Sequence, residues 1–178
     1  QKPLNFPHIS QFIFTAGSIR PARGLDDLFM ALSNLSQNGF DVPHMVIAGD
    51  TTRSMKAYKK KLNKYAIKNS LQDRIHWVGN LDDKGMTWCY KSCSAFVMTS
   101  RVEACPFTAL EAMKYHCTII SSDSLPMPEI FGNTATYYHY GSGEALAEAI
   151  RSLDMGMNSN MDKCMSALIN KQLAKYSW

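Results

Sequence analysis

A parallel, doubly wound α/β sheet of about six strands, with helices on both faces, is the fold class that this sequence predicts. Three observations predict it. Short runs rich in β-branched and aromatic residues alternate with longer stretches of helical periodicity. The runs are apolar almost throughout, as strands are when both faces of a sheet are covered. Three of them break at a glycine, namely Gly17, Gly49 and Gly79, before the next helical stretch. In such sheets ligands settle at the carboxyl ends of the strands. Attention therefore goes to the segments after Ala16, Ala48, Val78, Thr99 and Ser121.

Residues 11–16 (QFIFTA) form the first strand candidate. Residues 24–35 carry Leu25, Leu28, Phe29, Leu32 and Leu35 as a helical stripe. Residues 44–48 (HMVIA) are the second strand, and 54–68 a helix with Met55, Tyr58, Leu62 and Tyr65 on one face. Residues 74–78 (RIHWV) are the third strand; Asp82 or Asp83 caps a helix running through Cys93. Residues 94–99 (SAFVMT) are a strand and 107–115 a helix. Residues 117–121 and 134–140 are the last strands, and 144–153 and 161–176 the closing helices.

The chain has 178 residues and a mass of 20.0 kDa, which suits one domain over 11–178. Residues 1–10 read as a linker from a missing upstream domain, since the chain begins without Met. With 46% apolar and 19% charged residues, it can bury a real core. A net charge of +4 is far below the density of a nucleic-acid arm, so no nucleic-acid partner is expected. No apolar run reaches the roughly 18–20 residues of a membrane span. The first ten residues are polar, with Pro3 and Pro7, unlike a signal peptide. Five irregularly spaced cysteines argue against a disulfide framework and for a reducing, cytoplasmic compartment.

Two segments can carry chemistry. Gly17-Ser18-Ile19-Arg20-Pro21-Ala22-Arg23-Gly24 joins the first strand to the first helix. Small residues let backbone N–H groups approach an anion, and Arg20 and Arg23 add positive potential, so a phosphate or diphosphate is its natural ligand. A surface loop with solvated arginines is the alternative. The second segment, 100–113, leaves a buried strand and opens a helix. Amides near Phe107 and Thr108 suit phosphate oxygens, and a carboxylate at Glu111 can accept from a vicinal diol such as ribose. The alternative is that Glu103 and Glu111 are helix-entry carboxylates favoured by the dipole.

Other features read as structural. Arg53, Lys56, Lys59, Lys60, Lys61, Lys64 and Lys68 suit a solvated helix face, with docking to anionic lipid or an acidic glycan as the alternative. Cys89 and Cys93 lack two further zinc ligands and read as core or half-buried thiols. No D-x-D occurs, so no metal site is expected. Asp26-Asp27 and Asp82-Asp83 read as helix-start residues, Met30, Met45, Met98 and Met113 as core filler, and His139 with its neighbouring tyrosines as an edge-strand surface.

Glu103 and Glu111 form E-x7-E, followed by Ala112-Met113. This resembles the donor-binding signature of the retaining GT-B glycosyltransferases of the family-4 group, the glycosyl transferases group 1. Gly17-Ser18-Ile19 with Arg23-Gly24 resembles the family's G-R-L…K-G loop. Ile47-Ala48-Gly49-Asp50, Trp77-Val78-Gly79, Pro128-Glu129-Ile130, Gly132-Asn133-Thr134-Ala135 and the 144–150 helix follow in family order. The resemblance runs from Phe12 to Leu153. It implies a Rossmann-like half of a GT-B fold, the nucleotide-sugar-binding domain of a hexosyltransferase. The implied donor is a nucleoside diphosphate sugar, a UDP-sugar by family frequency, bound without metal or other cofactor.

By position, Arg23 takes the place of the family lysine at the diphosphate, and Glu111 that of the glutamate at the ribose hydroxyls. Glu103 stands near the donor sugar, with Arg23 the catalytic pair. Ala104, Cys105, Pro106, Phe107 and Thr108 form the loop facing sugar and phosphates, and Gly79 to Leu81 the turn beside the base. Ser18 replaces a second diphosphate-binding arginine, for which Arg20 stands in. Pro106 has no N–H to donate. His116 stands where a helix-ending glycine is common. The implied acceptor is a glycan or lipid-linked chain in bacterial cell-surface polysaccharide synthesis, at the inner face of the plasma membrane. The acceptor half is outside this sequence, so the chain alone is expected to be inactive. Ser18 and Pro106 favour the rival reading, a non-catalytic nucleotide- or sugar-phosphate-binding or degenerate assembly module.

Overall fold

The computed structural model describes residues 2–3, 6–153 and 163–176. Strands β1 (Ile13–Ala16), β2 (Met45–Ala48), β3 (Ile75–Gly79), β4 (Ala95–Met98), β5 (Ile119–Ser122) and β6 (Thr136–Tyr138) form one sheet, ordered β3-β2-β1-β4-β5-β6. Every pairing is parallel, with Ile13 opposite Met45 on one side and Ala95 on the other. The helices are α1 (Leu25–Gln37), α2 (Lys56–Lys68), α3 (Asp83–Ser92), α4 (Phe107–Lys114), α5 (Met127–Phe131), α6 (Gly143–Arg151) and α7 (Lys163–Leu173). This is the predicted Rossmann-like class. The chain builds outward from β1 to β3, then returns beside β1 and builds outward to β6. Helices diverge where that order reverses and leave a crevice beyond the strand ends.

Strand alternation sorts side chains into two cores. Ile13 and Ile47 meet Leu28 and Leu32 of α1, Leu62 of α2 and Leu146 and Ile150 of α6 on one face. Phe12, Phe14, Val46 and Phe96 meet Tyr90 of α3, Met113 of α4, Ile130 of α5 and Ile169 of α7 on the other. Each fully buried Leu, Ile or Phe contributes about 1.5–3 kcal/mol of transfer free energy. Of the predicted core methionines, Met45, Met98 and Met113 are buried, while Met30 is only half-buried at the α1–α6 contact.

Element boundaries differ from the sequence reading by one to three residues at most ends. A 3₁₀ turn, Arg53–Met55, precedes α2. Asp82 is the cap of α3, its carboxylate accepting from Gly85 N at 2.8 Å. Helix α5 falls in the segment read only as Pro-Glu-Ile; proline fits because its missing N–H is unneeded in a first turn. Positions 161–162 of the expected last helix lie outside the described residues. Phe6, in the expected linker, packs between Phe12 and Trp88, with ring centroids 5.3 and 4.7 Å away, so the chain already lies on the domain there.

Three helices end in the same double hydrogen bond, which needs a left-handed residue just past the cap. At α1 that residue is Gly39, φ 73°. At α2 it is Ser70, and at α4 His116, both at φ 55°. His116 N donates to Met113 O (2.9 Å) and Cys117 N to Ala112 O (3.0 Å). The Cβ of His116 makes that conformation costly, by about 1–2 kcal/mol, and its Nδ1 is buried without a hydrogen-bond partner among the described residues.

Asp27 corrects its reading as a mere helix-start residue. Its side chain has 0% exposure. It accepts from Arg101 Nη2 at 2.7 Å, Gly141 N at 2.8 Å and Tyr138 Oη at 3.2 Å. The neighbouring Asp26 accepts instead from Tyr58 Oη at 2.7 Å and Lys61 at 3.2 Å. Burial first, and then Asp27, pushes the Tyr138 hydroxyl up, so it stays a donor.

Two stability measurements follow from these features. In urea denaturation, His116→Gly raises stability by about 0.5–1 kcal/mol, the relief of left-handed strain less the entropy glycine adds to the unfolded chain. A loss of stability would show that the histidine ring contributes more than its backbone costs. Asp27→Ala lowers stability by about 3 kcal/mol, because it strands the buried Tyr138 hydroxyl and Gly141 N–H and unpairs Arg101. A change within about 0.5 kcal/mol would refute that role.

Candidate functional site

A cleft of about 860 Å³ opens beyond the carboxyl ends of β1, β2 and β3, against α3 and α4. Such a volume suits a ligand of nucleotide size. Of the sequence-predicted residues, Gly17, Ser18, Leu81, Thr108 and Glu111 line it. Arg23 borders a small recess that continues from it beneath Gly17 and Ser18. Arg20 is exposed and lines neither space. Gly79, Glu103, Ala104, Cys105, Pro106 and Phe107 are not on the cleft wall either. Phe107 is 75% exposed and Pro106 is buried.

Glu111 lies one turn into α4, where its carboxylate reaches the cleft. Tyr90, from α3, donates to Glu111 Oε2 at 2.9 Å. Burial, reinforced by the charge of Glu111, pushes the Tyr90 hydroxyl up, so it remains a donor at physiological pH. Its ring is locked: it stacks on Tyr115 at 5.6 Å and 16°, and meets Phe14 edge-on at 5.3 Å. Tyr115 in turn shares a hydrogen bond of 2.9 Å with Thr87. Thr108 Oγ1, on the same wall, is buried with no hydrogen-bond partner among the described residues.

Arg23 and Glu103 form an ion pair, Nη1 to Oε1, at 3.0 Å, with side chains 14% and 10% exposed. The contact is close without being an aligned hydrogen bond, and Arg23 Nε and Glu103 Oε1 are both buried without one. Ser100 Oγ accepts from Arg23 Nη1 at 3.2 Å. Burial lowers the Arg23 pKa and Glu103 opposes the fall, but a guanidinium remains a cation throughout. The pair is held by cross-links between loops. Thr99 Oγ1 donates to Arg23 O (2.6 Å) and Arg101 N to Ala22 O (2.9 Å). Ser122 and Ser124 donate to Ser100 O and Arg101 O, each at 2.6 Å. Gly17, φ 133°, lies against the guanidinium, and a Cβ there would overlap Arg23 Nη2.

Sequence reasoning missed Tyr90, Thr87 and Tyr115, and gave Asp50 only as part of a turn. The signal for Asp50, Thr51 and Thr52 was their place after a strand end. No signal marks Tyr90, a helical aromatic indistinguishable from core. The thiols of Cys89 and Cys117 are buried, Cys93 is half-buried and Cys105 exposed, and none is bridged. Burial pushes the Cys89 thiol up to about 12, which leaves it inert. Among the described residues no three His, Cys, Asp or Glu side chains cluster as metal ligands, and no helix is long and apolar enough to cross a membrane.

The chain is 29% identical over 136 residues to the lipopolysaccharide core biosynthesis mannosyltransferase LpcC of Rhizobium leguminosarum bv. viciae, covering 75% of this chain and 38% of that protein. Its fold is similar to Anabaena Alr3699/HepE, solved in complex with UDP: TM-score 0.74 and 18% identity, over 94% of this chain and 44% of that one. It is also similar to the C-terminal domain of the group 1 glycosyl transferase LpcC from Francisella tularensis, with TM-score 0.69 and 21% identity over 93% and 85% of the two chains. At these identities the solved structures establish the fold. The chain thus spans less than half the length of the mannosyltransferase and of HepE. Residues 1–162 match the family described as Glycosyl transferases group 1, and the chain belongs to that family.

Proposed function

We propose that this chain is the donor-binding domain of a retaining hexosyltransferase, which moves a sugar from a nucleoside diphosphate to a glycan or lipid-linked acceptor in bacterial cell-surface polysaccharide synthesis. The observation that carries this reading is Glu111, a carboxylate on the cleft wall held in one orientation by the buried hydroxyl of Tyr90. Oriented acceptors of this kind suit the two hydroxyls of a ribose. Thr108 and Gly17-Ser18 line the same cleft, in the direction in which a diphosphate would follow. HepE, whose fold is similar, is solved with UDP and with UDP-glucose, which supports uridine as the base.

The chemistry asked of these residues is electrostatic. As the glycosidic bond breaks, negative charge builds on the diphosphate. Arg23 and nearby backbone amides neutralise it in a site of low dielectric. Glu103 holds Arg23 beneath Gly17 and stands ready for the donor sugar, while Glu111 fixes the ribose so that the anomeric carbon is placed. No metal is invoked. The acceptor-side groups come from outside this chain, and the chain alone transfers no sugar.

Calorimetry with UDP, GDP, ADP and CMP tests the reading. UDP binds with a dissociation constant on the order of tens to hundreds of micromolar, because an open half-site buries little ligand surface. EDTA leaves that affinity unchanged. Arg23→Ala weakens UDP by about 1.5–3 kcal/mol, the worth of a hydrogen bond to a charged group, and hardly affects uridine. Equal losses for both would remove Arg23 from the phosphate site.

The ribose assignment has its own measurement. Glu111→Gln and Tyr90→Phe both narrow the affinity gap between UDP and 2′-deoxy-UDP, Tyr90→Phe by about 1 kcal/mol, the typical worth of one hydrogen bond. A wild-type protein indifferent to the 2′-hydroxyl would show that Glu111 has another role.

A further inference from the structure

Helix α2, with sequence KAYKKKLNKYAIK, contains no acidic residue. Its buried side is Tyr58, Leu62 and Ala66. The remaining cations fall into two groups. Lys59 lies over the Trp77 ring at 4.6 Å, and Lys61 is paired with Asp26 at 3.2 Å. Lys56, Lys60, Lys64 and Lys68 are exposed and have no ion-pair, hydrogen-bond or ring partner among the described residues. They recur every fourth residue. Each step advances about 40° around the helix, so the four span an arc of about 120° along about 18 Å of axis. Ile67 falls inside that arc and is 67% exposed.

This arrangement is unfavourable for a helix that faces only water. Residues four apart are neighbours, and like charges there repel. A solvated face ordinarily alternates signs so that such pairs attract; here each of three successive pairs repels. A surface of opposite charge relieves all of them at once. The face is convex, without a groove for an extended chain. It carries no exposed aromatic ring on which a base could stack, which disfavours single-stranded nucleic acid. An apolar side chain set among lysines is the composition of a helix face that lies on an anionic bilayer, with the ammonium groups at the headgroups and the apolar group just beneath.

We propose that the exposed face of α2, formed by Lys56, Lys60, Lys64, Ile67 and Lys68, docks this domain on an anionic lipid surface. The N-terminal end of α2 follows Thr51 and Thr52, which line the cleft. The Lys56 end of the face therefore lies nearest the cleft, on the side from which a lipid-linked acceptor would arrive. The docking surface itself does not depend on the donor assignment, since no residue of the face touches the cleft.

Co-sedimentation with vesicles tests the proposal. The full chain is mixed with phosphatidylcholine vesicles containing about 30 mol % phosphatidylglycerol, or with phosphatidylcholine alone, at low and high salt. Binding is expected only to the anionic vesicles and is lost at high salt. Lys60→Glu with Lys64→Glu lowers the partition coefficient by about tenfold or more, and Ile67→Asp lowers it too. The milder Lys60→Gln with Lys64→Gln gives a smaller fall and guards against misfolding, checked by circular dichroism. Lys84→Glu with Lys171→Glu, an equal charge change on α3 and α7, leaves partitioning nearly intact. The proposal is overturned if the wild-type chain does not bind anionic vesicles, or if the control falls as far as the α2 variant. Tight, α2-dependent binding to RNA or an acidic polysaccharide with none to vesicles also overturns it.

Discussion

Asp27 is a carboxylate with no exposed surface, and three donors from three parts of the chain offset the cost of burying it. Arg101 comes from the loop after β4, Tyr138 from the edge strand β6, and the Gly141 amide from the turn before α6. Through Asp27 the start of α1 becomes the point to which the carboxyl side of the second half-sheet is tied. The Arg101 amide continues the tie by donating to Ala22 O, and Thr99 does the same at Arg23 O. Two loops distant in sequence are thereby held as one structure, and Arg23 and Glu103 face each other because of it.

The two glutamates of the E-x7-E pair sit in different surroundings. Glu103 meets a cation that is itself largely buried, so the pair is screened little by solvent. Glu111 meets a neutral hydroxyl whose own ionisation is suppressed by burial and by that glutamate. One carboxylate thus holds a charge in place, while the other keeps lone pairs directed into the cleft. Their separation follows from the fold: Glu103 lies in the loop against the first βα turn, whereas Glu111 is carried one turn along α4 toward α3.

The chain spans less than half the length of Alr3699/HepE and of the mannosyltransferase LpcC. The crevice at the switch point is lined by strand-end loops and by α3 and α4. The positive outer face of α2 belongs to the opposite helix layer from α3 and α4, on which the cleft is built.

Fold class, strand order of appearance and the segments around Gly17 and Glu111 were legible in the sequence because they rest on local signals. Alternation of apolar runs with helical stripes survives any tertiary arrangement, and loops after strand ends are where such sheets bind ligands. The same local logic failed at α5, where two prolines hid a short helix, and at Asp27, which looks like any first-turn acid until Arg101, Tyr138 and Gly141 are brought to it. Nor does it tell Arg20, which the 3₁₀ turn Pro21–Arg23 leaves in solvent, from Arg23, which the same turn carries inward. Tyr90 carries no signal at all: a buried tyrosine with a core role and one that aims a carboxylate have the same helical spacing. Apart from α5, sequence by itself determined which backbone elements form, because propensity and hydrophobic period act over a few residues. Tertiary structure decided which side chains meet, because pairs such as Arg23 with Glu103 and Tyr90 with Glu111 exist only once separate elements have been packed against one sheet.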